Sequence, residues 1–425
     1  MSRKVRVLMV GRHFWPHGSV DSAAYLIQLA QGLNRRGVQI QVCTPRYAAS
    51  WPEKFWLREI PVHRPAAAPR SDWSIGRYTR HLTQWLRTNA SSFDLMLVDG
   101  IREESMAAIE AARSTGCPTL LRYGSRGSLS DQHYWSTSRT ARRCGTVGRM
   151  ADGVIVNSAT CSRSLLAEGY SPERIIRIDP GFAAGPLRSS VAQKRARRSL
   201  AAINTDLHVD PDARVAICMA PMTRDGGIQD LVRAAYRIVD QVPKLKLWFI
   251  GDGPHRDWIY EQLRGDGVRA SIAMPGSFCD GDELFAAADV FVQPDESGLD
   301  YFLPTAVSAE LPIVSIQRDA VRSVLVGPAS RESTSTLIST GPVPGGDPAQ
   351  WVQWIDQPTA TAFTESIAAV AANLPMYQDK ASMLRRHWIR SRPMVSVIDE
   401  YVEAIERTIA KKNRVRGGDP TEVKS

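Results

Sequence analysis

The residues able to do chemistry are sparse, and they gather in loops that follow apolar runs. Two Asp-x-Asp triplets occur, Asp210-Pro211-Asp212 and Asp280-Gly281-Asp282. Paired carboxylates can hold a divalent cation, but they also begin helices. The second triplet precedes a helical pattern starting near Asp282, so it reads as a cap, and no metal is expected. His17-Gly18-Ser19 lies between an apolar run and a helical pattern. A glycine there lets the backbone approach a phosphate or sugar closely. The GxGxxG signature is missing after that run, which argues against a dehydrogenase. Arg122 follows one buried-strand pattern, and Asp99 with Arg102 follows another, so these side chains belong at strand ends. His133 has no partner legible in the sequence and reads as a surface residue.

The elements that must position these residues alternate along the chain. Val5–Val10 reads as a strand, and Ala23–Arg36 as a helix stopped by Gly37. Val38–Thr44, Asp94–Val98, Pro118–Leu121 and Gly153–Val156 are further buried strands. The alternation pauses between Phe182 and Pro211, a linker with a short helix. It restarts with strand Arg214–Ala220, helix Ile228–Val239 and strand Lys246–Ile250. Helix Asp282–Ala288 and strands Val290–Val292 and Pro312–Ser315 complete the second series. Gly327–Thr359, polar and rich in Pro and Gly, reads as a long surface loop. Two such series predict two α/β domains with parallel sheets and ligands at the carboxyl ends of the strands.

Composition supports a folded protein with anionic partners. The 425 residues suffice for two cores, and the formal charge of +9 favours phosphates or acidic headgroups. No aromatic-interleaved basic groove appears, so nucleic acid is not expected as a partner. Basic clusters at Lys194–Arg198, Arg385–Arg392 and Lys411–Arg416 mark candidate contacts with an anionic membrane. The apolar run Val7–Val10 is too short for a signal-peptide core. The six cysteines show no CxxC pair and no metal-ligand spacing. The expectation is a cytoplasmic protein, at most peripheral at the inner membrane surface.

Several ordered segments resemble the group 1 (family 4-like) retaining glycosyltransferases. Ala151–Ser158 followed by Leu165–Tyr170 is similar to the family's "aDaviavS…Ll..G", and Arg174–Phe182 to its "rirvIpnGv". Gly251-Asp252-Gly253-Pro254 is similar to "GdGp", Ala287–Pro294 to "aaADvfvlPS", and Leu311–Val314 to "G.PVV" with Glu310 in place of the glycine. The resemblance implies the GT-B fold: two Rossmann-like domains facing across a cleft, with C-terminal helices crossing back to the first. The boundaries expected are 1–185 for the acceptor domain, 186–210 for the linker and 211–378 for the nucleotide-sugar domain. Returning helices occupy 379–412 and a tail 413–425.

The same resemblance assigns roles. Gly18 and Ser19 stand for the family's N-terminal glycine pair, and Gly227, Gly253 and Phe278 fall on the donor side. Pro221 and Gly226 occupy the positions of the family's phosphate-gripping Arg and Lys, leaving Arg224 as the cation of that loop. Ser297 and Thr305 replace the two glutamates, so Glu296 or Asp300 would supply the carboxylate near the transferred sugar, Gly298 a backbone N–H, and Thr305 a hydroxyl for the ribose. Arg224 and Glu296 are the catalytic candidates, and Asp99 and Arg122 face the acceptor. The implied activity is transfer from a nucleotide-diphosphate sugar to a glycan, lipid-linked or small-molecule acceptor, with retention and with no cofactor or metal. The alternative is a non-catalytic GT-B binding protein or partner subunit that lost the charged donor site.

Overall fold

A computed structural model describes residues 4–18, 20–124, 130–224, 226–265, 267–276, 278–279, 281–327 and 346–416. The first series of elements folds as β1 (Arg6–Val10), α1 (Asp21–Arg35), β2 (Gln39–Cys43), β3 (Lys54–Leu57), β4 (Ile60–His63), α2 (Asp72–Asn89), β5 (Leu95–Asp99), α3 (Glu103–Thr115), β6 (Thr119–Arg122), α4 (Asp131–Thr137), α5 (Arg139–Gly148), β7 (Gly153–Val156), α6 (Ala159–Ala167) and β8 (Ile175–Arg177). The second comprises α7 (Ser190–Ile203), β9 (Arg214–Met219), α8 (Ile228–Gln241), β10 (Leu245–Ile250), α9 (Arg256–Gly265), β11 (Ile272–Gly276), α10 (Asp282–Ala287), β12 (Val290–Gln293), α11 (Phe302–Ser308), β13 (Ile313–Ile316), α12 (Asp319–Leu325), β14 (Gln353–Ile355) and α13 (Ala360–Ala372). Helices α14 (Leu374–Ser391) and α15 (Met394–Arg416) end the described chain.

The strands form two sheets, ordered β3-β4-β2-β1-β5-β6-β7-β8 and β11-β10-β9-β12-β13-β14. All pairings are parallel except the β3–β4 hairpin. Strand order reverses between β1 and β5 in one sheet and between β9 and β12 in the other. At such reversals adjacent loops leave the sheet in opposite directions and open a crevice beyond the carboxyl ends. Gly18, Arg224 and the segment Glu296–Asp300 lie in those loops, and Asp99 ends β5 beside them.

Helix α15 docks on the first domain. Val397, Ile398, Tyr401 and Ile405 are buried in the same core as Leu29 and Leu33 of α1. Removing each from water is worth about 1.5–3 kcal/mol. The helices approach closely because Gly32 has no Cβ: one placed there would lie 2.5 Å from the Ile398 Cδ1. Gly37, with φ +87°, ends α1 in the left-handed conformation that glycine tolerates.

Two readings change. Gln353–Ile355 is a parallel edge strand on β13, not part of a loop, because Ile355 is buried while its neighbours are half-exposed; residues 328–345 of that stretch lie outside the described residues. Asp282 is the first residue of α10, and Gly281 holds the cap position. Among the cysteines, five are buried and Cys279 is exposed, a distribution that the sequence alone does not resolve.

Candidate functional site

The second domain's wall is built from backbone. A Cβ on Gly251 would lie 2.2 Å from the Ala220 carbonyl oxygen, one on Gly253 2.3 Å from that of Met222, and one on Gly227 2.1 Å from that of Pro294. These glycines knit together the loops after β9, β10 and β12. Asp295 fixes the arrangement: one carboxylate oxygen accepts the Gly227 N–H at 3.0 Å, the other the Ser297 N–H at 2.8 Å and its hydroxyl. Gln293 donates to the carbonyls of Asp295 and Ser297 at 2.7 and 2.6 Å. Gly298 turns the chain with φ +70° just before α11. Glu296 is half-buried beside this loop, and Arg224 is exposed on the loop after β9. Asp295 escaped the sequence reading; its signal was a carboxylate directly after the strand-ending Pro294.

The first domain's wall is built from buried charge. Arg122, 3% exposed, donates to Asp99 at 2.6 Å and to Asp300 of the second domain at 2.7 Å. Asn157 donates to the other Asp300 oxygen at 2.6 Å, and the Arg122 guanidinium lies 4.7 Å over the Tyr25 ring. Asp99, Arg122 and Asp300 thus converge, as a tie between domains. Burial raises the Asp99 carboxyl to about 6, although Arg122 opposes the shift. Arg12 is similarly occupied, donating at 2.6 Å to each of Glu103 and Glu104, both 1% exposed. Arg102 pairs with Asp131 at 3.1 Å.

Asp21, unremarked in the sequence, bridges the walls. It opens α1 in the first domain, yet its carboxylate accepts the backbone N–H groups of Asp300, Tyr301 and Phe302 at 3.2, 3.0 and 2.8 Å. It therefore satisfies the unpaired donors at the start of α11, a cap supplied by the opposite domain. Burial, and then the charge of Asp300, raise Asp21 to about 7, while the three N–H groups oppose them.

The loop after β1 lies across the second domain. A Cβ on Gly18 would sit 2.4 Å from the Cys279 carbonyl oxygen and 2.8 Å from that of Phe278. Here glycine serves domain-to-domain approach. Ser19 lies outside the described residues. His17 stacks edge-on to Tyr47, 4.5 Å between centroids, and Asp252 partly offsets the burial that lowers its pKa. His13 contacts the Tyr47 hydroxyl at 2.9 Å and is held neutral, lowered to about 3 chiefly by burial. Between the domains lies a cavity of about 640 Å³, bounded by Gly18, Cys279, Gly281, Tyr301 and Thr305 and extending toward α1 and α7. That volume suits a small-molecule ligand. His133 is exposed, as expected. No metal-holding group occurs among the described residues; Asp212 pairs with Lys244 instead.

Known proteins share this architecture. Residues 22–181 match the glycosyl transferase 4-like domain, and residues 213–357 match glycosyl transferases group 1. The sulfoquinovosyl transferase SQD2 of Arabidopsis thaliana is 26% identical over 204 residues, 46% of this chain and 36% of that protein. The match thus spans about a third of that relative's length. Sucrose-phosphate synthase from Thermosynechococcus elongatus superposes with a TM-score of 0.71 at 15% identity, covering 96% of this chain and all of the other. Anabaena HepE in complex with UDP and glucose superposes with a TM-score of 0.68 at 15% identity, over 95% and 100% of the two chains. With both domains matched in order and the fold shared end to end, the chain belongs to the group 1 glycosyltransferases of the GT-B fold.

Proposed function

We propose that the protein transfers a sugar, with retention and without a metal, from a nucleotide-diphosphate sugar to a glycan, lipid-linked or small-molecule acceptor. The observation that carries this reading is the interdomain cavity, at the end lined by Gly18, Cys279, Gly281 and Thr305; Arg224, Gly227, Gly253, Glu296 and Ser297 are not among its lining residues. The nucleoside occupies that end, with the Thr305 hydroxyl toward the ribose. The diphosphate lies toward the loop after β9, where Arg224 supplies the cation and Gly227 lets that loop close on Pro294. With Pro221 and Gly226 in the family's cation positions, leaving-group charge is stabilised by Arg224 and by oriented backbone N–H groups. Glu296 is the carboxylate nearest in sequence to the family's sugar-side position. The HepE structure, which holds UDP and glucose, supports a nucleotide sugar as donor class.

The test is thermal-shift and calorimetric titration with UDP, GDP and ADP, then turnover with the corresponding sugar nucleotides. One diphosphate is expected to stabilise the fold, by about 2.7 kcal/mol at a hundredfold excess over Kd. Thr305→Trp, which fills that end of the cavity, is expected to abolish that shift. Equal binding by wild type and Thr305→Trp would move the nucleoside elsewhere, and binding without turnover across a donor panel would end the transferase reading.

A further inference from the structure

Part of the positive charge in the sequence clusters is neutralised by the fold, while Lys194, Arg195, Arg198, Arg390 and Arg414 are exposed with no carboxylate partner among the described residues. In the cluster Lys194–Arg198, Arg197 donates to Asp289 at 2.6 Å and to two carbonyls. Arg385 donates to the carbonyls of Ser308 and Gly185, Arg392 pairs with Glu400, and Lys412 pairs with Asp152. These cations hold helices α7, α14 and α15 in place.

A separate set of unneutralised cations lies on one face of the first domain, formed by α2, α3 and α5. Helix α2 packs on α3, and α3 on α5, so their outer faces are continuous. That face exposes Arg77, Arg80 and Arg87 on α2, Arg113 on α3, and Arg139, Arg142 and Arg143 on α5. The exposed carboxylate described on these helices is Glu110, which Arg87 holds at 2.6 Å and Arg113 at 3.4 Å. The other acids of α3, Glu103 and Glu104, are buried against Arg12. The described structure gives Arg80, Arg139, Arg142 and Arg143 no carboxylate partner. Two apolar side chains stand out of the same surface. Trp73, at the start of α2, is 83% exposed, and Met150, just after α5, is 42% exposed and touches Arg113. Trp73 sits at the end of α2 that follows β4, on the side of the sheet where the cleft opens.

We propose that this face docks on an anionic lipid bilayer, arginines toward the headgroups and Trp73 at the polar–apolar boundary, with the cleft mouth at the membrane surface. Arginine forks match phosphate oxygens, and exposed tryptophan favours that boundary over water. A purely polyanionic partner such as nucleic acid would use the arginines but leave Trp73 and Met150 in solvent. The inference does not depend on the donor chemistry.

The experiment is co-sedimentation of the full chain with vesicles of phosphatidylcholine alone or with 30 mol%, roughly the charge density of an anionic leaflet, of phosphatidylglycerol. Binding is expected only to the anionic vesicles and is expected to weaken with salt. The Arg77→Gln/Arg80→Gln/Arg143→Gln triple variant is expected to lose affinity about 100-fold, at about fivefold per arginine. A Lys194→Gln/Arg198→Gln/Arg390→Gln control, of equal net charge, is expected to lose less than about fivefold, a single arginine's worth. Trp73→Ser is expected to remove the binding that survives at high salt. Unchanged melting temperatures and nucleotide shifts show that each variant is folded. Equal losses in the two triple variants would overturn the assignment of this face. So would a preference for double-stranded DNA over anionic vesicles, or absence of vesicle binding by the folded wild type.

Discussion

The two walls of the cleft are held by different physics. On the first domain's side Arg122 and Asp99 are buried with Asp300 of the second domain, and Arg12 is enclosed by Glu103 and Glu104. In the second, Gly227, Gly251 and Gly253 let loops touch at distances that no Cβ would allow. One wall should therefore be sensitive to charge and the other to volume. The difference also suggests a division of labour. A wall whose cations are matched by carboxylates positions the domains, while one of closely packed backbone leaves exposed Arg224 for a ligand.

The largest effect is expected from breaking the charged wall. Arg122→Met strands two buried carboxylates and should destabilise the protein by about 3–5 kcal/mol in urea titrations. A loss below about 1 kcal/mol, typical of exposed pairs, would mean that the tie is cosmetic. Next comes volume: Gly227→Ala forces a methyl against the Pro294 carbonyl and should cost about 1–3 kcal/mol and weaken nucleotide binding. Gly76→Ala on α2, where a Cβ meets nothing within 4 Å, should instead stabilise by about 0.5–1 kcal/mol. Similar outcomes for the two glycines would erase the contrast.

A pH series sharpens the charged side. Asp21 moves from 3.8 to about 7 on folding, so between those values the folded protein holds more protons than the unfolded chain. This contribution is complete below about pH 4 and is lost as pH rises through 7. Asp99, raised to about 6, acts in the same direction, and Glu104, lowered by Arg12, acts oppositely at lower pH. Asp21→Asn, which retains an acceptor for the N–H groups of α11, is expected to flatten the fall in stability between pH 5 and 7. An unchanged slope would remove Asp21 from the account. The smallest expected change in stability is for exposed Arg224→Ala, within about 0.5 kcal/mol. Its nucleotide-diphosphate affinity should nevertheless fall about tenfold, the loss of one charge-assisted contact. A large stability loss with unaltered affinity would place Arg224 in the scaffold instead.

Much of the architecture was legible because its signals are local. Apolar runs such as Leu95–Val98, the stop at Gly37 and the helical spacing from Val397 to Ile405 are each complete within a few residues. The edge strand Gln353–Ile355 was not, since it is short and follows a polar stretch rich in Pro and Gly that reads as loop, and its pairing with β13 is a contact made at long range. Gly227, Gly253, Ser297 and Gly298 were named through motif position, and in the structure they lie in neighbouring loops of the second domain. Asp21 and Asp295 were missed because an aspartate at a helix start or after a strand has an ordinary local explanation.

The amino-acid order by itself determined two α/β units, most of their central strands, and which loops face the cleft. Periodicity and turn residues act over one element at a time, and strand reversal then locates the crevice. Only the tertiary structure decided which charges remain free. Arg122, Arg197 and Arg385 are as basic in sequence as Arg80 or Arg143, but the first three are met by acceptors brought from distant segments. Charge is a property of a residue, whereas its neutralisation depends on neighbours that folding supplies.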